Sequence, residues 1–271
     1  METVFGQPSW KLASEGATAW ITRQGAMLGP VRFRLGERVI EPYHIAPWAQ
    51  EEDCGLPILQ ALRGDFLCAP FGGNEGSTYP LHGPTANLPW ESRAVNENSV
   101  RLELRDERLE AEREIVLGAS WVLQRHRLRL SEPMPVGMHA MLRFQTTGKV
   151  HLSPYDLAAT PPVAFEEPEK GGYAWLPVDA RFDRLEQALG LDGRELDLTV
   201  YPAREGWENL VQCVRKPSEG LAWSAVTFPD EGYLWYSVRR ASVLPHTLLW
   251  YSNGGRHYAP WNGRHRAVLG V

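Results

Sequence analysis

The sequence has 271 residues and a mass of 30.6 kDa, with 43% hydrophobic and 23% charged residues, a balance typical of a soluble globular protein. Its formal net charge of -5 at pH 7 and the lack of a basic block argue against nucleic-acid binding. No window approaches the roughly 18 uncharged apolar residues that a transmembrane helix needs. Residues 1–10 lack the basic and apolar regions of a signal peptide, so we expect no membrane partner.

The three cysteines, Cys54, Cys68 and Cys213, are isolated from one another in the sequence. An odd number of cysteines without a C-x-x-C pair suits a reducing compartment better than a disulfide framework, and the spacing offers no zinc site. We therefore expect a cytoplasmic protein without a structural metal.

Short β-like runs, separated by glycine and proline, dominate the chain. Residues 17–43 predict three strands joined by two glycine turns, and residues 99–130 alternate apolar and polar side chains over most of their length. Residues 133–144, with the sequence PMPVGMHAMLRF, predict a strand that mostly faces a core. Residues 220–238 predict a hairpin with PDEG as its turn, and PHTLLWYSN opens a further strand.

Helical signals are scarce. Residues 179–190, DARFDRLEQALG, predict roughly two helical turns that end at Gly190, and residues 161–173, PPVAFEEPEKGGY, predict a flexible loop. The alternation of strands and helices that is typical of Rossmann and TIM folds is absent. These patterns predict an all-β fold, namely a single large antiparallel domain over residues 1–271 that forms a sandwich or barrel with little helix.

Residues 62–90 are rich in glycine and proline and predict a shaped loop region that carries Arg63, Asn74, His82 and Trp90. Hydrogen-bond donors and aromatic rings on loops of a rigid β scaffold are typical of binding sites. Two interpretations stay open at this point. These side chains bind a ligand, or they are structural, with Arg63 in an ion pair and Trp90 at the edge of the core.

A second candidate is His139, which stands inside the apolar run 133–144. One interpretation is a core histidine whose ring nitrogens bond to the backbone. The other is a functional histidine, because an imidazole ordinarily titrates near neutral pH and can donate and regain a proton there.

Several segments together resemble the aldose 1-epimerase, or galactose mutarotase-like, superfamily. "LRG" before an apolar run, then "PFGG", "LHG" and "NLPW" are similar to the family pattern R-G-G…P-x-F-G…H-G…P-W, and come closest to the branch of the hexose-6-phosphate mutarotases. "MPVGMHAMLRF" resembles the family's G-x-H-P-Y-F strand, and "LLWYSNGGRHYAPWNGRHRAVLGV" resembles its last sheet region. These blocks occur in family order over nearly the whole chain. The chain departs from the pattern at Asp65, which replaces a glycine, and at Ala140 and Met141, which replace a proline and an aromatic residue.

The resemblance implies a β-supersandwich and an isomerase that interconverts the α and β anomers of a hexose or a hexose phosphate. It implies that His139 is the general acid on the ring oxygen and that Arg63 and His82 hold sugar hydroxyls. It places a substrate-binding carboxylate at Asp197, with Asp183 as the alternative. Such a reaction needs no metal and no organic cofactor, and its partner is a small sugar.

The general base of the family is a glutamate just after the last strand, which here reads "AVLGV" up to Val271. We expect the natural chain to continue beyond Val271 and to carry this glutamate. The alternative is a chain that ends there and lacks the base. Glu91, Glu205 and Glu208 are then the candidate substitutes, and no sequence pattern favours one of them.

Two other function classes stay open. One is a non-catalytic carbohydrate-binding protein on the same scaffold, which would use Arg63, His82 and Trp90. The other is a cupin-like metal enzyme, which the sequence disfavours because no H-x-H motif with a following glutamate occurs. The identity of the sugar and the oligomeric state are not predicted by the sequence.

Overall fold

The computed structural model describes residues 1–51, 54–73 and 78–271. The chain divides into two compact units, Met1–Met141 and Leu142–Val271. Strands make up most of the regular structure, and the strand pairs within each unit are antiparallel, which confirms the predicted all-β class with little helix. The prediction of a single domain over residues 1–271 stays a prediction.

The first unit contains two antiparallel sheets. In one sheet the strands follow the order β1-β2-β3-β4-β6-β11, with β5 paired to β4, and in the other the order is β10-β9-β8-β7. Its elements are β1 (Glu2–Val4), β2 (Gln7–Ala13), β3 (Ala17–Thr22), β4 (Leu28–Leu35), β5 (Arg38–Ile40), α1 (Pro57–Ala61), β6 (Asp65–Cys68), α2 (Gly83–Asn87), β7 (Glu91–Val95), β8 (Ser99–Arg105), β9 (Leu109–Leu117), β10 (Val122–Leu130) and β11 (Gly137–Arg143).

Residues 99–130, in which apolar and polar side chains alternate, form β8, β9 and β10 of a sheet with one buried and one solvated face. The apolar positions of β8, Val100, Leu102 and Leu104, are at most 5% exposed and join a core cluster with residues of β2, β3 and β9. Burying a side chain of this kind stabilises the fold by roughly 1.5–3 kcal/mol.

The solvated face of this sheet carries a ladder of opposite charges. Glu114 accepts ion pairs from Arg101 at 3.0 Å and Arg125 at 2.9 Å. Two further pairs, Arg127 with Glu112 and Arg129 with Glu110, continue the ladder across β9 and β10. Cross-strand pairs of opposite charge favour the register, although exposed pairs contribute only about 0–1 kcal/mol each.

The second unit is built from short and long antiparallel strands. One sheet follows the order β22-β21-β18-β13-β14, a second follows β17-β12-β19-β20, and β15 pairs with β16. Its elements are β12 (Gly148–Leu152), β13 (Leu157–Ala159), β14 (Arg181–Phe182), β15 (Ala188–Leu189), β16 (Glu195–Leu196), β17 (Val200–Tyr201), β18 (Trp207–Val214), β19 (Leu221–Phe228), β20 (Tyr233–Arg240), β21 (Thr247–Asn253) and β22 (Val268–Gly270), with 3-10 turns at Pro168–Lys170 and Leu185–Gln187. The predicted hairpin with a PDEG turn is confirmed as β19 and β20.

The predicted helix at residues 179–190 is wrong. The segment forms β14, a single 3-10 turn and β15. Gly190, the expected helix end, instead packs against the ring of Trp175, where an added Cβ would lie 2.0 Å from a ring carbon. Tertiary packing therefore overrides the weak helical periodicity of this segment.

The predicted loop at residues 161–173 is anchored by a buried side chain. Glu166 is 7% exposed and pairs with Arg256 at 2.6 Å. Because a buried carboxylate is costly unless it is paired, this ion pair ties the segment to the loop that follows β21.

The helices α1 and α2 were not predicted from the sequence. Each has five residues and begins with a proline in its first turn, and so short an element shows no 3.6-residue periodicity. No helix within residues 1–51, 54–73 and 78–271 is both long and apolar enough to span a membrane.

Candidate functional site

His139 lies on β11, directly opposite Phe66 of β6. The imidazole stacks on the Phe66 ring with centroids 4.8 Å apart and planes 11° from parallel. Two positions before it, Gly137 leaves room for the Phe71 ring, which a Cβ at residue 137 would approach to 2.5 Å. The absence of a side chain at Gly137 therefore lets an aromatic ring lie beside His139.

His82 completes this cluster from the other side. Its backbone adopts a left-handed conformation with φ of 60° at the start of α2. The His82 and His139 rings lie 5.1 Å apart and nearly perpendicular, at 89°, and the Phe71 ring lies 5.1 Å from His82. We call the four rings Phe66, Phe71, His82 and His139 the histidine cluster.

A backbone contact sets the tautomer of His82. The N–H of Gly72 donates to Nδ1 of His82 at 3.1 Å. Since Nδ1 accepts this hydrogen bond, the neutral ring carries its proton on Nε2. His82 is therefore arranged as an Nε2–H donor.

Both histidines of the cluster are neutral at pH 7. Burial lowers the pKa of His139 to about 3, with a further contribution from His82, and burial lowers the pKa of His82 to about 4. The sequence-based expectation that His139 titrates near neutrality therefore differs from the structure, because the stacked aromatic rings remove water from the imidazole. At pH 7 the pair offers hydrogen-bond donors and acceptors without positive charge.

Histidines with lowered pKa values make stability depend on pH. The unfolded chain binds protons on them below its ordinary pKa near 6.5, whereas the folded chain does so only near pH 3–4, so stability is lost as the pH falls below about 6.5. His126 shares this property, since burial and Arg113 lower its pKa to about 3. We expect His126→Gln to flatten the loss of unfolding free energy between pH 7 and pH 5 in urea titrations. An unchanged slope in His126→Gln would contradict this assignment.

A buried polar network connects Asp65 of β6 with Arg113 of β9 and Gln124 of β10. Gln124 Nε2 donates to Oδ2 of Asp65 at 2.7 Å, and Arg113 donates to the side-chain oxygen of Gln124. Arg113 also donates to the carbonyl of Asp65 at 3.2 Å and to that of Ala26 at 2.5 Å. The amide of Gln124 thus bridges a buried guanidinium and a buried carboxylate.

This network holds the strand that carries His139. Burial raises the pKa of Asp65, and Arg113 and Gln124 oppose that rise by stabilising the carboxylate. Asp65 lies opposite Ala140 across the β6–β11 pair, next to the pair of Phe66 and His139, so the network anchors the strand that lies beside His139. The sequence offered Asp65 as a departure from the family pattern and as an ion-pair partner for Arg63, whereas in the structure its carboxylate bonds to Gln124 and Arg63 bonds to backbone carbonyls.

Arg63 is not part of the histidine cluster, and its guanidinium bonds to the backbone. It is fully buried, and its guanidinium donates to the carbonyls of Ala61 at 2.9 Å, Val4 at 2.8 Å and Phe5 at 2.9 Å. All three of its nitrogens are used by the backbone. In this structure Arg63 secures the N-terminal segment, and its assignment as a ligand of a sugar hydroxyl stays a prediction.

Trp90 belongs to the core of the first unit. It is fully buried, packs in the apolar cluster and donates from Nε1 to the carbonyl of Thr85 at 2.9 Å. This is the structural interpretation that the sequence left open for Trp90. Asn74, another predicted ligand, lies outside the described residues.

Asp197 lies in the second unit beside a cleft. Its Oδ1 accepts from the backbone N–H and the hydroxyl of Thr199, at 2.8 and 2.6 Å, so one oxygen closes a local turn. The cleft offers about 360 Å³ including its solvent-filled mouth, and Trp175, Arg204 and Trp207 are among its lining residues. The alternative, Asp183, is exposed between β14 and a 3-10 turn.

The structure distinguishes the three candidate glutamates. Glu91 and Glu205 are exposed, whereas Glu208 on β18 is fully buried and accepts from Trp250 Nε1 at 2.9 Å and Ser252 Oγ at 3.0 Å. Burial raises the pKa of Glu208 to about 7, against the opposing charge of Arg256. Glu208 is thus a carboxyl group that exchanges its proton near neutral pH.

No metal centre is formed by the part of the chain that the structure describes: no group of three or more His, Cys, Asp or Glu side chains there is arranged to hold a metal ion. All three cysteines lie in the described residues, are buried and form no disulfide.

No protein-family model matches the chain, and no curated protein matches it. Among solved structures, a galactose mutarotase related enzyme from Lactobacillus acidophilus superposes with a TM-score of 0.60 at 12% identity, over 97% of this chain and 84% of that protein. A galactose mutarotase-like protein from Lactobacillus casei gives 0.53 at 11% identity, over 97% and 86%. A protein of Escherichia coli K12 with a provisional assignment as an aldose 1-epimerase gives 0.52 at 13% identity, over 98% and 97%. These likenesses show that the chain has the galactose mutarotase-like fold, as the sequence predicted.

Proposed function

We propose that the histidine cluster binds a hexose or a hexose phosphate and that the protein interconverts the α and β anomers of that sugar. The observation that carries the proposal is the perpendicular pair of neutral imidazoles, His82 and His139, set against two phenylalanine rings. Sugars present hydroxyl groups and flat C–H faces, which imidazole nitrogens and aromatic rings match. The fold shared with the mutarotase-related proteins supports this chemistry by analogy.

In this proposal the roles of the two histidines differ. His82, whose Nε2 carries the proton, donates a hydrogen bond to a sugar hydroxyl. His139 delivers a proton to the ring oxygen while a carboxylate takes the proton of the anomeric hydroxyl. The bond between C1 and the ring oxygen then breaks, the open-chain aldehyde rotates about C1–C2, and the ring closes on the other face. Each proton is returned on closure, so no co-reactant is consumed.

Because the pKa of His139 is low, its ring seldom carries the second proton that this mechanism needs at pH 7. With a pKa of about 3, only about one ring in 10⁴ is an imidazolium at pH 7. A bound substrate with negative charge, such as a hexose phosphate, would raise that pKa, because a nearby opposite charge favours the cationic form. We therefore propose a phosphorylated hexose as the preferred substrate.

A second candidate function is sugar binding without catalysis. The neutrality of His82 and His139 at pH 7 favours it, because two neutral imidazoles bind hydroxyls without moving protons. We propose a cytoplasmic location for either function, since three buried cysteines without a disulfide suit a reducing compartment.

The site itself can be tested by NMR with histidine ring resonances as reporters. We expect the His82 and His139 ring signals to shift in a saturable manner when glucose 6-phosphate is added, and less at equal concentrations of glucose. The signal of His151, on β12, serves as the internal control and should stay in place. A titration that leaves His82 and His139 unmoved by any hexose or hexose phosphate at millimolar concentration would rule out this site.

A further inference from the structure

The β19–β20 hairpin of the second unit exposes an apolar surface. Five of its outward side chains are large, apolar and between 39 and 61% exposed; we call them the apolar stripe, and they are Leu221, Trp223, Leu234, Tyr236 and Val238. Leu234, Tyr236 and Val238 lie at alternate positions on one face of β20. On the same face Trp223 of β19 lies directly opposite Val238, so the five side chains are neighbours.

The opposite face of the same hairpin is already the buried one. Ala222, Ser224, Val226 and Phe228 of β19 are at most 1% exposed, and Trp235 of β20 is 8% exposed. The outward face of the hairpin is therefore apolar although the opposite face already packs against the protein. A strand buried on one side and facing water on the other ordinarily alternates apolar and polar side chains.

The first unit shows that this chain can follow that rule. The outward face of β9 and β10 carries three glutamates and three arginines in a charge ladder, Glu110, Glu112, Glu114, Arg125, Arg127 and Arg129. The corresponding face of β19 and β20 carries the apolar stripe instead. A contiguous exposed apolar surface with aromatic residues at its centre is typical of a protein–protein interface.

We infer that the apolar stripe is the interface of a homodimer, in which the stripes of two copies of this chain pack face to face. The five side chains expose on the order of 500 Å² of apolar surface, a large part of the ~800 Å² that each partner contributes to a standard interface. An apolar surface without a charge at its centre is compatible with its own copy, as an isologous two-fold interface requires.

Charges at the two ends of the hairpin select the orientation of the copies. Arg240, exposed at the open end, lies opposite Leu221 and shares its face, and exposed Asp230 lies in the turn at the other end. A two-fold axis that lies in the interface and runs across the strands places the open end of one hairpin over the turn of the other. Arg240 of each copy then meets Asp230 of the other, whereas an axis along the strands would place Arg240 against Arg240.

Sedimentation velocity tests the dimer directly. At about 50 µM, well above the dissociation constant of a stable interface, the wild-type protein should sediment with twice the 30.6 kDa mass of the chain. Tyr236→Glu should weaken association at least about 10-fold, because it places a charge in an apolar contact. Leu123→Glu is the matched control, since Leu123 is also exposed, at 39%, but lies on β10. A monomeric wild type, or Tyr236→Glu that associates as the wild type does, would overturn the inference.

Charge reversal tests the orientation separately. Arg240→Glu and Asp230→Arg should each weaken the dimer several-fold, and the double variant should restore it, because the exchanged charges again meet across the two-fold axis. A double variant that associates more weakly than both single variants would contradict this orientation. Circular dichroism of each variant reports whether the exposed substitutions leave the fold intact.

Discussion

His139→Ala is expected to lower kcat/KM for anomer exchange by about 10²–10⁴-fold, the usual contribution of one positioned acid or base. The loss should appear mainly in kcat, because His139 acts on the ring oxygen as the ring opens, whereas His82→Gln should raise KM more than it lowers kcat. Both rates are measured by exchange NMR between the α and β anomeric signals of a hexose phosphate.

The matched control for this prediction is His126→Ala. His126 is also a half-buried histidine of the first unit with a pKa of about 3, but it lies on β10 beside Arg113 and is not one of the four rings of the histidine cluster. Its replacement should leave exchange within about threefold of the wild type. Equal losses in the His139 and His126 variants would assign both effects to general destabilisation and remove His139 from the mechanism.

Arg113→Met is expected to destabilise the fold by about 3–5 kcal/mol, because it leaves the buried carboxylate of Asp65 without its compensating charge. Asp65→Asn should cost less, since the amide keeps an acceptor for Gln124 while it removes the buried negative charge. The double variant Asp65→Asn/Arg113→Met should be more stable than Arg113→Met alone. Urea denaturation followed by tryptophan fluorescence gives the free energy of unfolding of each variant.

The exposed charge ladder supplies the comparison for this network. Arg127→Ala removes an ion pair whose side chains are 82 and 63% exposed, and it should cost no more than about 1 kcal/mol. A loss of similar size for Arg113→Met would show that the Asp65 network contributes no more than a surface pair. It would also remove the argument that Asp65 and Gln124 position the strand of His139.

The sheets were predictable because hydrophobic alternation and turn residues act locally. Residues 99–130 gave three strands, and PDEG gave a tight hairpin turn, since the period of two and the Gly-Pro punctuation are read directly from neighbouring positions. The fold family followed from short motifs in chain order. The helix expected at residues 179–190 does not form, because Gly190 packs against the ring of Trp175 and Leu185 is buried. Such packing depends on residues outside the segment.

The site was predictable only in part. His82 and His139 come together as the resemblance implied, 5.1 Å apart, although 56 residues separate them. The use of Arg63 by three backbone carbonyls was not visible, because backbone partners leave no trace in the sequence. The burial of Arg113, in contrast, could be read from the sequence. Arg113 stands at an inward position of β9, between Ala111 and Ile115, where a charged residue predicts a buried partner.

Glu208 shows the limit of reading carboxylates from sequence. It was one of three equivalent candidates, and only its burial beside Trp250 and Ser252 distinguishes it, through a pKa of about 7. The pKa of a carboxyl group depends on solvent and neighbours in space, which no local motif encodes.

The rate of anomer exchange in the presence of the wild-type protein tests the central claim most directly. Exchange NMR on a hexose phosphate at pH 7 should show the α and β signals interconverting faster than in buffer, in proportion to protein concentration, with the acceleration lost in His139→Ala. Saturable binding at the histidine cluster with exchange at the buffer rate would assign the protein to sugar binding alone. Acceleration that persists in His139→Ala would contradict the assignment of the reaction to the histidine cluster.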